Sequence, residues 1–159
     1  MGTDKANMFG GVERLQQVLL EAGVNRCVVL CGPAHRAALF EGEVVPDPLD
    51  VKGLHRLIPW ARQTVKAAVL LVPCDAFLLD VDAVRWWLKT ARQGGVPLDT
   101  HQRRQPLFAL IPEGHVLPTN ATSVEMLLSG LPSIDVGDYG SAFSNFNTRD
   151  DLLEHQLEP

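Results

Sequence analysis

Asp75 is the residue best placed for chemistry, because it directly follows the most apolar run of the chain. Residues 67–72 (A-A-V-L-L-V) predict a buried strand, and Pro73-Cys74-Asp75 ends it. Such a strand holds a carboxylate rigidly at the rim of a sheet. Mg²⁺ prefers oxygen ligands and often takes one or two carboxylates together with substrate phosphates. An aspartate that caps a turn before the next helix fits the same position, and spacing favours neither interpretation.

A second candidate is the segment N-F-N-T at residues 145–148, where Asn145 and Asn147 precede a predicted helix. Thr148, with Asp151 three residues later, resembles a capping box. Two amides beside the free N–H groups of a helix start place polar groups next to an anionic ligand. A turn followed by an N-cap explains the same residues, and on the residues alone it is the favoured interpretation.

Cysteine and histidine spacing does not indicate a metal site. Cys27 and Cys31 are four residues apart, which in a strand separates their side chains by roughly 13 Å, too far to share a zinc ion. No pair among the 5 histidines has the spacing of a helical metal site. Cys27, Cys31 and Cys74 lie in or beside apolar runs, so we predict buried free thiols in a reducing cytoplasm.

Short β-branched runs alternate with helical patterns along the chain. Strands are predicted at residues 26–31, 43–45, 67–72, 107–111 and 133–136, with those at 26–31 and 67–72 buried on both faces. Helices are predicted at residues 12–22, 34–40, 52–63, 80–93 and 122–128, and from 148 onward. This order predicts a parallel sheet between helices. Ligands gather where loops leave the carboxyl ends of such strands, so we expect chemistry near Gly32, Asp47, Asp75 and Pro112.

The composition predicts one folded domain over residues 1–159. A hydrophobic content of 46% excludes disorder, and no apolar run is long enough to span a bilayer. The 14 basic and 19 acidic residues give a net charge of −5, and no cationic surface for nucleic acid is visible. The first residues do not read as a signal peptide. We therefore expect a cytoplasmic domain without nucleic-acid or membrane partners.

Four segments resemble the molybdenum cofactor guanylyltransferase family. Residues 1–6 (M-G-T-D-K-A) are similar to the end of that family's opening signature, L-A-G-G-x-S-x-R-M-G-x-D-K. The other matches are P-C-D at residues 73–75, P-L-F-A-L at 106–110 and F-S-N-F-N-T at 143–148. They occur in the family's order over nearly the whole chain. The resemblance implies a three-layer α/β fold of the nucleotidyltransferase type, with a mostly parallel sheet between helices.

The resemblance also implies a reaction, the transfer of GMP from GTP to the terminal phosphate of molybdopterin with release of pyrophosphate. Anionic oxygens surround the phosphorus under attack, so catalysis is mostly positioning and charge neutralisation. On this resemblance, Asp75 would hold Mg²⁺ against the nucleotide phosphates. Lys5 would supply a second positive charge to the triphosphate.

Further binding residues follow from the same resemblance. Asp47 matches an acidic family position near the nucleotide, where Lys5 would also bind. Gly53 matches the first glycine of the family's G-P-L-A-G loop, where the backbone comes close to the ligand. Asn145 and Asn147 would lie on the molybdopterin and pyrophosphate side.

The sequence departs from the family pattern at several positions. The family's first strand and its glycine-rich loop precede the methionine that is Met1 here, so a neighbouring strand is expected to lack a partner. Leu57 replaces the second glycine of G-P-L-A-G, and Ala76 and Arg149 replace prolines. Two hypotheses follow. The protein is a guanylyltransferase, or it is a degenerate, non-catalytic relative that acts as a binding or partner module in molybdenum cofactor delivery.

Overall fold

The computed structural model of the chain describes residue 6 and residues 10–144. Its α-helices are α1 (Gly11–Glu21), α2 (Leu54–Thr64), α3 (Val81–Thr90) and α4 (Val124–Leu127). Its strands are β1 (Val28–Leu30), β2 (Glu43–Val45), β3 (Val69–Leu70), β4 (Val96–Leu98), β5 (Leu110–Ile111) and β6 (Ser133–Asp135). Short 3₁₀ segments span Ala34–Leu39, Pro106–Phe108 and Gly137–Phe143. Helices alternate with strands, as expected for an α/β fold.

The strands form two separate groups. β1 pairs in parallel with β2 and β4 in parallel with β6, whereas β3 and β5 are antiparallel. Gly95, just before β4, exchanges two backbone hydrogen bonds of 3.0 Å with Leu110 of β5. One group therefore has the order β3-β5-β4-β6, and the other is β2-β1. Within the described residues, no backbone hydrogen bond joins the two groups.

Apolar core lies on both faces of β5. Leu110 belongs to a cluster with Leu15 of α1 and Trp87 of α3, while Ile111 belongs to a second cluster with Ile58 of α2 and residues of α4. Successive residues of a strand point to opposite faces. One helix pair therefore covers each face, α1 with α3 and α2 with α4, which gives the predicted three layers.

Trp87 is the largest fully buried side chain among the described residues. Its indole N–H donates to the carbonyl oxygen of Phe108 at 3.1 Å, as a buried indole requires. Its ring lies 5.5 Å from that of Phe143 between centroids. Helical spacing predicts that Trp87 packs inward while Trp86 stays on the flank. This is confirmed, because Trp86 is half-buried against Tyr139.

The local signals for the helices are largely confirmed. α1 begins one residue before the predicted helix at 12–22. Asp80, one of two predicted caps, is the N-cap of α3, and its carboxylate accepts a hydrogen bond of 2.8 Å from the Ala83 N–H. α2 continues through Pro59. No helix of the described residues combines the length and the apolar character needed to cross a membrane.

Two strands are shorter and more exposed than the sequence predicts. The runs at residues 26–31 and 67–72 predict strands buried on both faces, but β1 has 3 residues and β3 only 2. Val28 and Leu30 each keep 37% of their surface exposed. Burial on both faces is therefore wrong for β1. In the run at 67–72 Leu70 packs against the first core cluster and Leu71 against the second, so both faces are covered but only half-buried.

The sequence pattern missed β4. Gly94-Gly95 and Pro97 are typical of turns, so the sequence does not indicate a strand of only 3 residues at this place. Pro97 is tolerated because it has no N–H to leave unpaired, while its carbonyl oxygen accepts a hydrogen bond of 2.9 Å from the Gln105 N–H. The predicted strand at 107–111 is also shortened, to Leu110–Ile111, because a 3₁₀ turn starts at Pro106.

We predict that Asp80→Ala lowers the free energy of unfolding by about 1 kcal/mol, because the first turn of α3 loses its cap. The matched change Asp82→Ala also removes a carboxylate from that turn. It should cost less than about 0.5 kcal/mol, since Asp82 makes only an exposed 3.7 Å contact with Arg85. Urea denaturation measures both values. Equal losses would contradict the assignment of the cap.

Candidate functional site

A cleft of about 480 Å³ opens beside the carboxyl ends of β1 and β3. Gly32 and Asp47 line it from the side of β1 and β2, and Asp75 lines it from the end of β3. The sequence predicts this convergence, because ligands bind beyond the carboxyl ends of strands. The remaining walls are mostly apolar, with side chains such as Leu57 of α2 and Leu71.

Asp75 is about nine-tenths buried at the rim of this cleft. The preceding turn is closed by a hydrogen bond of 3.2 Å from the Ala76 N–H to the Pro73 carbonyl oxygen. Ala76 and Phe77, which follow, are buried. Strand, turn and buried loop thus fix the backbone that carries the carboxylate.

Arg14 of α1 holds the loop that follows Asp75. Its guanidinium donates hydrogen bonds to the carbonyl oxygens of Leu79 and Ala76 at 2.9 Å and of Phe77 at 3.0 Å. Burial lowers the pKa of this guanidinium, and the nearby Asp80 carboxylate opposes the shift. An arginine stays charged under such shifts, so its hydrogen bonds are charge-assisted. Sequence reasoning missed Arg14, because its partners lie more than 60 residues away.

Asp47 connects the loops after β1 and β2. Its N–H donates to the Gly32 carbonyl oxygen at 2.9 Å, and its carboxylate Oδ1 accepts from the Gly32 N–H at 3.2 Å. Prolines on both sides, Pro46 and Pro48, restrict the backbone further. One carboxylate oxygen of Asp47 is therefore used in positioning, and the residue lines the cleft.

Gly53 directly precedes α2, next to the cleft. Its φ of 82° lies in the left-handed region that favours glycine, and its carbonyl oxygen accepts hydrogen bonds of 3.0 Å from Arg56 and Leu57. The following residue, Leu54, lines the cleft. Leu57 replaces the second glycine of the family loop. Its side chain is buried and forms part of the cleft wall.

Arg36 is the single basic side chain among the described residues that line the cleft. It lies in the 3₁₀ segment after β1, and its guanidinium carbon is 5.8 Å from the centre of the Phe40 ring. Sequence reasoning did not select Arg36. Its position four residues after Gly32, in the segment that follows a predicted strand, could have indicated that it lies at the cleft.

The other expectations from the sequence either lie outside the described residues or are wrong. Lys5, Asn145 and Asn147 lie outside the described residues, as does the predicted helix from 148. The expectation for Pro112 is wrong. β5 runs antiparallel to β3, so Pro112, which follows β5, lies at the opposite end of the strands from Asp75. There its carbonyl oxygen accepts a hydrogen bond of 2.9 Å from Arg62.

The oxygen ligands at the cleft suit a hard cation. Asp75 and Asp47 are carboxylates, and Mg²⁺ often binds to one or two carboxylates and completes its shell with phosphate oxygens and water. No group of three or more His, Cys, Asp or Glu side chains suited to a metal occurs in the described part of the chain. The residues therefore fit an ion carried in by a nucleotide better than a site built from protein ligands alone.

We predict that Arg14→Met destabilises the fold by about 3 kcal/mol, because three main-chain carbonyls lose a charged donor. Arg85→Met is the matched control. Arg85 is exposed and donates a single hydrogen bond of 2.9 Å, to the Glu21 carbonyl oxygen. Its loss should cost below about 1 kcal/mol in urea denaturation. Similar losses for the two variants would show that Arg14 does not hold the loop.

The expectation of three buried cysteines is wrong, and the different exposure of the three thiols gives a second prediction. Cys31 is buried and Cys27 half-buried, but Cys74 is exposed at the cleft, where a strand end gives way to a turn. Burial raises the pKa of the Cys27 thiol. The thiolate is the nucleophile, so alkylation of Cys27 should rise at a higher pH in the folded protein than in denaturant.

Alkylation followed by mass spectrometry at about pH 8 checks this order. Cys74 should react first and Cys31 last, and all three should react alike in denaturant. Labelling of Cys27 as fast as Cys74 in the folded protein would show that Cys27 is not half-buried.

Comparison with known proteins agrees with this geometry. The chain has no match among curated proteins. The family model of the MobA-like NTP transferase domain matches residues 1–125, which include both cleft aspartates and all of α1 to β5. The protein therefore belongs to the MobA-like NTP transferase family, whose members are nucleotidyltransferases with this α/β fold.

Proposed function

We propose that the protein transfers GMP from GTP to molybdopterin and releases pyrophosphate, with Mg²⁺ as cofactor. The observation that carries the proposal is the pair of carboxylates, Asp75 and Asp47, at one cleft beyond the strand ends. The family match supports a nucleoside triphosphate as substrate. GTP and molybdopterin are the substrates implied by the resemblance of the P-C-D and N-F-N-T segments.

The charges around the cleft support a role for a divalent cation. Its described lining holds two carboxylates and one guanidinium, that of Arg36. A triphosphate beside this set would bring more negative charge to a site that is already net negative. Mg²⁺ supplies the missing positive charge when it is bound together with the nucleotide. Asp75 is the residue that would hold it, and Asp47 would stand near the nucleotide.

The protein's own residues contribute positioning. Arg14 and the buried loop fix the backbone next to Asp75, and the double hydrogen bond with Gly32 fixes Asp47, so less of the site has to be ordered when substrate binds. Arg36 and Lys5 would bind the triphosphate as cations. An oxygen of the molybdopterin phosphate attacks the α-phosphorus of GTP, and the bond from that phosphorus to the bridging oxygen breaks, so that pyrophosphate leaves.

The remaining roles stay with the residues that the resemblance names. Gly53 would let the backbone approach the nucleotide, and its positive φ is a conformation that favours glycine. Asn145 and Asn147 would bind molybdopterin or pyrophosphate.

A second candidate function has one observation in its favour. The cleft walls are mostly apolar, and Leu57 fills a position where the family has glycine. A non-catalytic binding or partner module in molybdenum cofactor delivery would use such a surface without turnover. This function predicts binding of a cofactor or a protein partner and no release of pyrophosphate.

We predict that Asp75→Asn lowers kcat/KM for Mg²⁺-dependent pyrophosphate release from GTP and molybdopterin at least about 100-fold, because a charged ligand of the cation is lost. The isosteric amide keeps the size of the side chain. Asp82→Asn removes an exposed carboxylate of α3, away from the cleft, and should leave the rate unchanged. Pyrophosphate release is measured with GTP, ATP and CTP in parallel.

The outcomes separate the hypotheses. Turnover with GTP alone that depends on Asp75 supports the proposal. Preference for CTP would contradict guanylyl transfer, and unchanged turnover in Asp75→Asn would remove that residue from the site. Absence of turnover with every nucleotide would favour the non-catalytic module.

A further inference from the structure

Asp99 is a buried carboxylate that the proposed reaction does not use. Among the described residues, Asp75 and Asp99 are the two polar or charged residues that are buried. Asp75 follows β3, and Asp99 follows β4. β3 and the start of β4 at Gly95 both run antiparallel to β5, so β3 and β4 are parallel to each other. Their carboxyl ends therefore lie at the same edge of the sheet, two strand spacings or about 10 Å apart.

The Asp99 carboxylate fixes a tight hairpin at the end of β4. Its Oδ1 accepts hydrogen bonds from the His101 N–H at 2.8 Å and the Arg103 N–H at 2.9 Å. Its Oδ2 accepts a hydrogen bond of 2.7 Å from the side-chain amide of Gln105. The Asp99 N–H donates to the Arg103 carbonyl oxygen at 2.9 Å, which closes the hairpin. One buried side chain thus holds both the tip of the hairpin and its exit.

The hairpin is strained at its tip and leads to the cleft. Gln102 has a φ of 59°, and among the described residues it is the one residue other than glycine with a positive φ. Such a conformation persists only where surrounding contacts hold it, and it is concentrated at functional sites. Leu107, two residues after Gln105, lines the cleft. The connection from β4 to β5 therefore passes from the hairpin to the wall of the cleft.

Arg103 gives the hairpin a cation that is available to a ligand. Its side chain is exposed, and no hydrogen bond or ion pair holds it to another described residue. The guanidinium of the next residue, Arg104, is instead used within the fold, since it contacts the Glu125 carboxylate at 2.6 Å. A guanidinium has five N–H donors, and a fixed backbone restricts where those of Arg103 can reach.

We propose that this hairpin binds the second substrate, with Arg103 as the contacting residue and Asp99 as a positioning residue. This role rests on the proposed function, in which the acceptor phosphate reacts beside Asp75. The pterin ring of the acceptor then lies beyond that phosphate, along the edge of the sheet toward the end of β4. The Arg103 guanidinium donates hydrogen bonds to the carbonyl oxygen of this ring. Asp99 touches no substrate and acts through the backbone of the hairpin.

The first test measures binding without turnover. Molybdopterin is added to the isotope-labelled full chain without GTP or Mg²⁺, and the amide signals are followed by NMR. The signals of residues 101–103 should shift, because the ligand lies against the hairpin. The amide of Arg92, just before β4 at the opposite edge of the sheet, should not shift. Inorganic phosphate at the same concentration should leave the hairpin signals in place, since the hairpin contacts the ring.

A second test separates the two substrates by their kinetics. Arg103→Gln should raise KM for molybdopterin about tenfold, because a charged hydrogen bond to this substrate is lost. KM for GTP and kcat should stay within about twofold of the wild type. Arg92→Gln is the matched control. Arg92 is also exposed but lies at the opposite edge, so this variant should behave like the wild type.

Variants of Asp99 distinguish positioning from a direct role of its charge. Asp99→Ala should raise KM for molybdopterin about tenfold and remove the hydrogen-exchange protection of the His101 and Arg103 amides. Asp99→Asn keeps an oxygen for these two amides and should restore KM to within about twofold of the wild type. Asp135→Ala is the control, because Asp135 is exposed at the same edge and accepts one hydrogen bond of 2.9 Å, from the Gly137 N–H. Circular dichroism checks that each variant folds.

The outcomes keep this proposal separate from the reaction. Hairpin shifts with inorganic phosphate alone, an equal rise of KM for GTP in Arg103→Gln, or an unrestored KM in Asp99→Asn would each overturn the hairpin site. Turnover without hairpin shifts would also overturn it and leave the transferase standing. Hairpin shifts without turnover would support the hairpin site and contradict guanylyl transfer.

Discussion

The charged contact between Arg14 and three main-chain carbonyls holds the centre of this structure together. The loop between β3 and α3 has no regular secondary structure, so its carbonyls need donors from elsewhere. One guanidinium has enough donors for all three, and its planar shape restricts where the loop can lie. Asp75 and the cap of α3 stand on either side of this contact. The functional rim therefore depends on the packing of the first helix against the middle of the chain.

Sequence patterns predicted the elements whose signals are local. α1 and α3 have apolar stripes at helical spacing, and Asp80 is a cap within its own turn. The convergence of Asp47 and Asp75 was also predictable, because parallel strands place their carboxyl ends at one edge. Arg14 and β4 were not predictable in this way. Arg14 acts on residues distant in sequence, and β4 forms despite glycine and proline because its neighbours satisfy its backbone.

The lengths of β1 and β3 show a second limit of sequence patterns. A β-branched run states a preference for extended backbone, but a strand is stabilised by the side chains and backbone groups of its neighbours. Residues 26–31 and 67–72 carry the composition of strands that are central in a sheet. In the structure each has a neighbour on one edge, and the ends of both runs leave the strand conformation. Composition and environment disagree here, and the disagreement lies along one cleft.

The two halves of that cleft differ in chemistry, which limits what each can bind. A triphosphate can use only the polar rim, since anionic oxygens placed against Leu57 or Leu71 without donors lose several kcal/mol of hydration. The nucleotide phosphates of the proposed reaction would therefore lie at the rim beside Asp75 and Asp47, where a cation can neutralise them, and the apolar walls would contact only uncharged parts of a ligand.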